Sequence, residues 1–568
     1  MEGSTALNIV PIIGLEVHIQ LATRTKMWCS CAAEFGRPPN ERTCPTCLAL
    51  PGALPVLNRR AVEQAVQTGL ALNCSIARRT HWDRKNYFYP DLPKNYQISQ
   101  FDQPLCRNGY IELKHDQKIR KIRISRAHLE EDAGKNIHDS SYGTAVDLNR
   151  AGTPLLEIVT EPDFRSAEEA VEFAMQLQRL VRYLGVSEAN MQKGQMRFEP
   201  NVNLAIKLDG RETRTPIVEV KNLNSFRALY AAISYELDRQ RDEWRTRVSA
   251  APTNGKTNRG WDDVREITVP QREKEEPRDY RFFPDPDLVP LTIDPNWVAE
   301  VREHLPELPI PRTERFISEY KLTPQEAAAL VDCRATADLL DQAAELGGDK
   351  VVLARQFLSF WQKLAHERQT TIAGLGIAAR HIAELANLVK TQRVNASAAA
   401  RIAEKMARRA DDLLEKRAHE NTAPSEVDSV ALSSTSVNVD DSKTIRTALF
   451  SPAPNAMHAR PRLQRPTTEN CIIRFESLEE PDLCPLHWAR RLGVLQTSDS
   501  REIAEWLEAA LAAHPQAVAD ALQNTRKCKA AKHFLTGQVM KLSQGKANPR
   551  VVARLLEESL ARRTQPPA

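Results

Sequence analysis

No apolar run in this sequence is long enough to cross a membrane, which argues against spanning helices. The opening Met-Glu-Gly-Ser-Thr-Ala lacks the basic and apolar regions of a secretory signal, and acidic Glu2 speaks against an Arg-rich transit peptide. Cysteine is scarce, at 10 in 568 residues, too few for a disulfide scaffold. The one dense set has metal spacing rather than pairing spacing. Together these absences predict a reducing, cytoplasmic setting. Familiar catalytic signatures are missing too. There is no Gly-x-Ser-x-Gly elbow, and no cysteine near a histidine in a recognisable nucleophile pattern. Gly255-Lys256-Thr257 ends like a phosphate loop, but Ala250 stands where its first glycine belongs, and Pro252 and Asn254 suggest a loop rather than strand-turn-helix. The chain shows no hydrolase machinery of its own.

Charge of one sign is not in excess either: net charge is +4, so the molecule as a whole does not advertise nucleic-acid binding. The distribution is uneven. Between Arg526 and Arg563 ten Lys or Arg residues stand against two Glu, an excess that fits either a solvated helical face or contact with a phosphate backbone.

What is present falls into zones, and the length suggests about three or four domains. The first 290 or so residues mix β-branched and aromatic segments with Gly, Pro and Asn punctuation, the pattern of a mixed α and β domain. Within Ile12 to Leu21, Leu15, Val17, Ile19 and Leu21 fall on one strand face and Glu16, His18 and Gln20 on the other. One helix interrupts the strands: Ser166 and Glu169 suit a capping box, Phe173, Leu177, Leu180, Val181 and Leu184 form the apolar stripe, and Gly185 ends it. After Pro309-Ile310-Pro311 long Ala-, Leu-, Glu- and Arg-rich helices take over, one opening at Thr323-Pro324-Gln325-Glu326. The expected division is a mixed α and β domain over 1–295, a helical domain over 296–417, a disordered insertion over 418–470 and a closing region over 471–568, its last helical unit running from about Ser498.

Cys29-Ser-Cys31 and, after a 12-residue spacer, Cys44-Pro-Thr-Cys47 supply four thiolates in two close pairs, which a tetrahedral structural Zn²⁺ requires. Acidic residues also appear where strands should be apolar: Glu16 with His18, Glu130-Glu131-Asp132, and Glu157 between Leu156 and Ile158. Such carboxylates either face solvent or need a positive partner, and several converging with an imidazole would suit Mg²⁺. Asp83-Arg-Lys85-Asn-Tyr-Phe-Tyr-Pro90, with Lys94 just beyond it, interleaves basic groups with aromatics, fit either for anion binding or for a core aromatic patch with solvated lysines. Alternation puts Glu219 and Lys221 on one strand face.

These segments resemble one family. Ile13-Gly-Leu-Glu-Val-His18, Asp83 to Pro90, Tyr96-Gln-Ile-Ser-Gln-Phe-Asp-Gln-Pro104, His128-Leu-Glu-Glu-Asp-Ala-Gly-Lys135, Val146 to Pro154, Leu156-Glu-Ile-Val-Thr-Glu-Pro-Asp163, Val220 to Phe226 and Asp279 to Asp287 are similar to the GatB family of tRNA-dependent amidotransferase subunits. Phe534 to Lys541 and Gly545 to Pro549 resemble its YqeY-type tail. The resemblance implies an α+β fold: a glutamine-synthetase-like cradle with a mixed or antiparallel sheet, an all-α helical domain, and a helical YqeY-like tail that contacts tRNA. It implies ATP-dependent phosphorylation of the side-chain carboxyl of Glu-tRNA(Gln) or Asp-tRNA(Asn), followed by amidation. The ammonia would come from a GatA-type amidase, with a small GatC-type subunit completing a heterotrimer. Carried over motif by motif, Glu16, His18, Glu131 and Glu157 are the Mg²⁺ set, Glu131 carries the catalytic charge, and Lys85 and Lys94 line the approach of ammonia. Arg197-Phe-Glu-Pro-Asn201 departs from the family's Arg-Cys-Asp-Ala-Asn, which leaves Glu199 outside that set. The rival readings are a GatE-type subunit and a non-catalytic zinc-bearing RNA-binding scaffold.

Overall fold

The computed structural model describes residues 7–115, 118–140, 143–208, 211–246, 255–271, 280–422, 481–523 and 527–564. The chain forms two compact units, one holding the described residues up to Phe316 and one those from Ile317 onward. The insertion expected over 418–470 lies outside the described residues from 423; before that, the helix Ala396–Thr422 continues through its first positions.

A ten-stranded mixed sheet organises the first unit. In chain order its strands are β1 (Asn8–Gln20), β2 (Ser75–Ile76), β3 (Cys106–His115), β4 (Lys118–Glu131) and β5 (Pro154–Thr160). They continue as β6 (Met196–Leu208), β7 (Arg211–Arg214), β8 (Ile217–Lys221), β9 (Lys256–Asp262) and β10 (Ile267–Pro270). The spatial order is β10, β9, β8, β6, β1, β5, β4, β3, β2, with β7 on β6. Neighbours are antiparallel except β8 and β9. The alternation expected in β1 is present: Ile13, Leu15, Val17 and Ile19 are buried. They share one core with α1 (Arg59–Ala71), α2 (Ala167–Leu184) and α3 (Phe226–Thr246), through residues such as Phe173, Leu177 and Leu229. Each such side chain contributes about 1.5–3 kcal/mol on burial, so hydrophobic burial fixes which face points inward and leaves the other to polar groups.

The Ser166 hydroxyl caps α2 by accepting from the Glu169 N–H, and Gly185 ends it with φ 70°. The reciprocal half of the expected capping box is diverted. The Glu169 carboxylate accepts from the Arg165 N–H at 2.8 Å and pairs with Arg120, because a guanidinium is a stronger partner than a neutral amide. The first unit runs past residue 295, since the Asp294-capped helix Pro295–Glu303 packs Val301 and Trp297 onto the same core. In the second unit Thr323, Pro324 and Glu326 form the full capping box. Its last four helices, Ser500–Ala513, Pro515–Leu522, Lys527–Leu542 and Pro549–Thr564, close around Leu507, Leu535, Val539 and Leu556. Among the described residues no helix is long and apolar enough to cross a membrane.

Candidate active site

Strand register decides what meets on the polar face. His18 lies opposite Glu157 on β5 and Arg197 on β6, and Glu16 lies opposite Glu199. Glu157 in turn lies opposite His128 on β4. Cross-strand partners share a face, so the row of acids and imidazoles is a consequence of the pairing itself.

His18, Glu157 and His128 close into one cluster with Glu130, two residues after His128. His18 Nε2 lies 3.5 Å from a carboxylate oxygen of Glu130 and 3.5 Å from one of Glu157. His128 Nε2 approaches Glu157 to 3.3 Å. Glu130 and Glu157 are only 2% and 7% exposed, a burial that costs an ion several kcal/mol unless cations answer it. Burial pushes the Glu130 carboxyl up, and the charge of Glu157 adds to the rise. Burial acts on Glu157 in the same sense, but His128 and His18 overcome it and hold that carboxyl well below its usual range. For His18, burial disfavours the imidazolium, yet Glu157 and Glu130 raise its pKa to about 9. The Nδ1 atoms of His18 and His128 are buried without a hydrogen-bond partner among the described residues. The ligand atoms of His18, Glu130 and Glu157 lie within 4.8 Å of one another. One imidazole and two carboxylates fit a hard divalent cation.

The sequence-derived residues do not all gather here. His18 and Glu157 do. Glu16 lies farther along the face, accepting from Asn201 at 2.9 Å with Lys256 Nζ 3.6 Å away. Glu131 lies outside the cluster because adjacent residues on a strand project to opposite faces. Its carboxylate pairs with Lys94 and accepts from the Ile98 N–H at 3.0 Å. The third corner belongs to Glu130, two positions after His128 and therefore on the face of Glu157; that parity was the available signal. Lys85 has its ammonium 5.1 Å from the Tyr280 ring, and although burial opposes its charge, Glu130, Tyr87 and Glu157 raise its pKa. Each of the two adjacent glutamates thus has its own lysine, Lys85 near Glu130 and Lys94 on Glu131.

The four cysteines converge. Cys47 Sγ lies 3.9 Å from Cys29, 3.7 Å from Cys31 and 3.5 Å from Cys44. Sulfurs around a tetrahedral Zn²⁺ stand about 3.8 Å apart, so the set fits that ion. The hydrogen bond between Cys29 and Cys47 raises the Cys29 thiol and lowers that of Cys47. Buried Lys26 fixes the loop by donating to the carbonyls of Arg42 at 2.7 Å and Leu148 at 3.2 Å. A cavity of about 390 Å³ reaches from Cys29 and Cys47 to Lys94 and Glu131.

Fold and site define a class: a mixed α/β domain with one charged sheet face, followed by helical modules. The GatB/GatE catalytic domain model matches residues 11–299, and a GatB domain model matches residues 475–560. The B subunit of the aspartyl/glutamyl-tRNA(Asn/Gln) amidotransferase of Rhodopirellula baltica is 47% identical over 67% of this chain and 78% of its own length. The protein of that name from Caldicellulosiruptor saccharolyticus is 37% identical over 97% of this chain and 98% of its own length, and that from Persephonella marina 38% over 98% and 100%. The chain belongs to the GatB family.

Proposed function

We propose that the polar sheet face transfers the γ-phosphate of ATP to the side-chain carboxyl of mischarged Glu-tRNA(Gln) or Asp-tRNA(Asn), after which ammonia displaces the phosphate to give the amide. The observation that carries this reading is the buried His18–Glu130–Glu157 cluster, a donor set of the kind that accompanies phosphoryl chemistry. A carboxylate oxygen is a poor leaving group and its phosphate a good one, so the ATP-dependent step makes amide formation feasible. A divalent ion bound by His18, Glu130 and Glu157 supplies charge neutralisation to the transferred phosphate. Around it, His128 orients Glu157, Lys85 offsets the charge of Glu130, and Lys94 and Glu131 stand beside the route by which ammonia arrives. The four-cysteine set holds a structural Zn²⁺ that ties the loop of Lys26 and Trp28 to the sheet.

As a GatB-family member, the chain serves a carbon–nitrogen ligase that uses glutamine as amide donor. An amidase partner frees the ammonia, a small third protein completes the complex, and the basic tail helices contact tRNA. The test is transfer of labelled γ-phosphate to glutamyl-tRNA in a reconstituted complex. Glu157→Gln lowers it by roughly a hundredfold, the scale of an electrostatic transition-state group, with tRNA affinity unchanged. Transfer at the normal rate contradicts the reading.

A further inference from the structure

Beyond the His18 cluster the polar face carries a second set of carboxylates, and here lysines rather than histidines answer them. Glu16, Glu199 and Glu219 come from the neighbouring strands β1, β6 and β8. Glu219 is 0% exposed, a burial that an ionised carboxylate tolerates only beside a cation. Lys256 Nζ lies 2.8 Å from Glu219 and 3.6 Å from Glu16. Lys221 Nζ lies 2.6 Å from Glu199 and 3.0 Å from Glu219. Three acids therefore meet two ammonium groups.

The patch has donor capacity left over. Asn258, 6% exposed, is the cross-strand neighbour of Glu219 on the same face, and its buried side-chain carbonyl oxygen has no partner among the described residues. The corresponding oxygen of Asn201, opposite Glu219 on the other side, is likewise buried and unpartnered among them. Carboxylates and amide carbonyls are the oxygen ligands of a hard divalent cation. The site is thus provisioned for a cation, and the chain itself supplies one. The two lysines are not equivalent: Lys221 is held between Glu199 and Glu219, whereas the Lys256 side chain is 40% exposed at the mouth of the patch. An ammonium has three rotatable donors, so Lys256 can hold Glu219 and Glu16 and still turn one toward a phosphate oxygen.

We propose that Lys256 is a resident cation, occupying the place between Glu16 and Glu219 that a second divalent ion would otherwise take. The face then carries one exchangeable divalent ion, at His18, Glu130 and Glu157, and one fixed charge directed at the nucleotide phosphates. This rests on the phosphoryl-transfer reading above. Its signature is the number of divalent ions bound. Removing the ammonium without removing the acids frees Glu16, Glu219 and Asn258 to recruit a second ion.

The test titrates Mn²⁺, as a paramagnetic substitute for Mg²⁺, into the zinc-loaded full-length chain and reads free Mn²⁺ by electron paramagnetic resonance. Wild type binds about one tight ion and Lys256→Gln about two. Lys256→Arg keeps the charge and returns the count to about one, as does Lys256→Gln combined with Glu219→Gln. In the reconstituted complex the Mg²⁺ dependence of amidation becomes steeper in Lys256→Gln. Two tight ions in wild type, or one in Lys256→Gln, overturns the proposal while leaving the phosphoryl-transfer reading intact. A wild-type chain that binds no Mn²⁺ overturns that reading, and the proposal with it.

Discussion

Glu130 and Glu131 are consecutive in β4, yet their carboxylates have different partners on opposite faces of the strand. Glu130 stands 3.5 Å from His18 Nε2, whereas Glu131 pairs with Lys94 and accepts from the Ile98 N–H at 3.0 Å. One strand thereby separates two environments by a single residue: a histidine–carboxylate cluster with the donors a divalent cation would need on the polar face, and a lysine-paired carboxylate lining the cavity toward Cys29 and Cys47.

The His18 cluster has a pH signature. In the cation-free protein the His18 pKa is raised to about 9, above an unfolded value of about 6.5. A folded value above the unfolded one means that the stabilisation is complete below about pH 6.5 and is lost as pH rises through about 9. Cation binding requires the neutral ring, so Mg²⁺ affinity rises with pH over the same window. Histidine NMR titration of the cation-free chain gives a His18 midpoint near 9 that falls in Glu157→Gln. A midpoint indifferent to that substitution contradicts the assigned pairing.

For the thiolate centre, elemental analysis gives about one zinc per chain, and Cys44→Ser loses it while the sheet stays folded. The Cys29 thiol is held up by its hydrogen bond to Cys47 and by burial, and burial lifts Cys31 to about 11, so zinc must displace their protons. Zinc uptake at neutral pH therefore releases protons into weakly buffered solution and weakens on acidification. Uptake without proton release contradicts this.

The tail helices Lys527–Leu542 and Pro549–Thr564 carry most of the local basic excess. Deleting residues 498–568 weakens tRNA binding and flattens its salt dependence by roughly 0.7–0.9 in log–log slope for each phosphate no longer neutralised. Basal glutamine hydrolysis by the amidase partner is retained. An unchanged slope makes the tail structural only.

Much of the scaffold is legible from local pattern. The alternation of Leu15, Val17 and Ile19 reports their burial because one strand face lies on the helices, and Ser166 and Gly185 mark the ends of α2 because helix termini leave backbone groups to be capped. The shared face of Glu219 and Lys221 follows from the same two-residue period. What depends on register does not read so directly. Glu130 and Glu131 are the same residue type side by side, and choosing between them requires Glu157 to lie opposite His128, a pairing between strands well apart in sequence. Lys256 looks like the remnant of a phosphate loop in isolation. It opens β9 instead, because Lys256–Asp262 pairs in parallel with β8 and brings the ammonium to Glu219. The diverted capping box has a similar cause, since nothing near Glu169 in sequence announces Arg120.

The most direct measurement compares Glu130→Gln with Glu131→Gln in single-turnover transfer of the ATP γ-phosphate to glutamyl-tRNA, with amide formation followed in parallel. Because Glu130 shares His18 with Glu157, Glu130→Gln loses phosphate transfer by roughly a hundredfold and regains part of it at high Mg²⁺. Glu131→Gln keeps phosphate transfer near the wild-type rate and loses glutamine-dependent amidation, since it leaves Lys94 without its counter-charge. The reverse result, phosphate transfer lost in Glu131→Gln and kept in Glu130→Gln, contradicts the account and places the cation on the other face of β4.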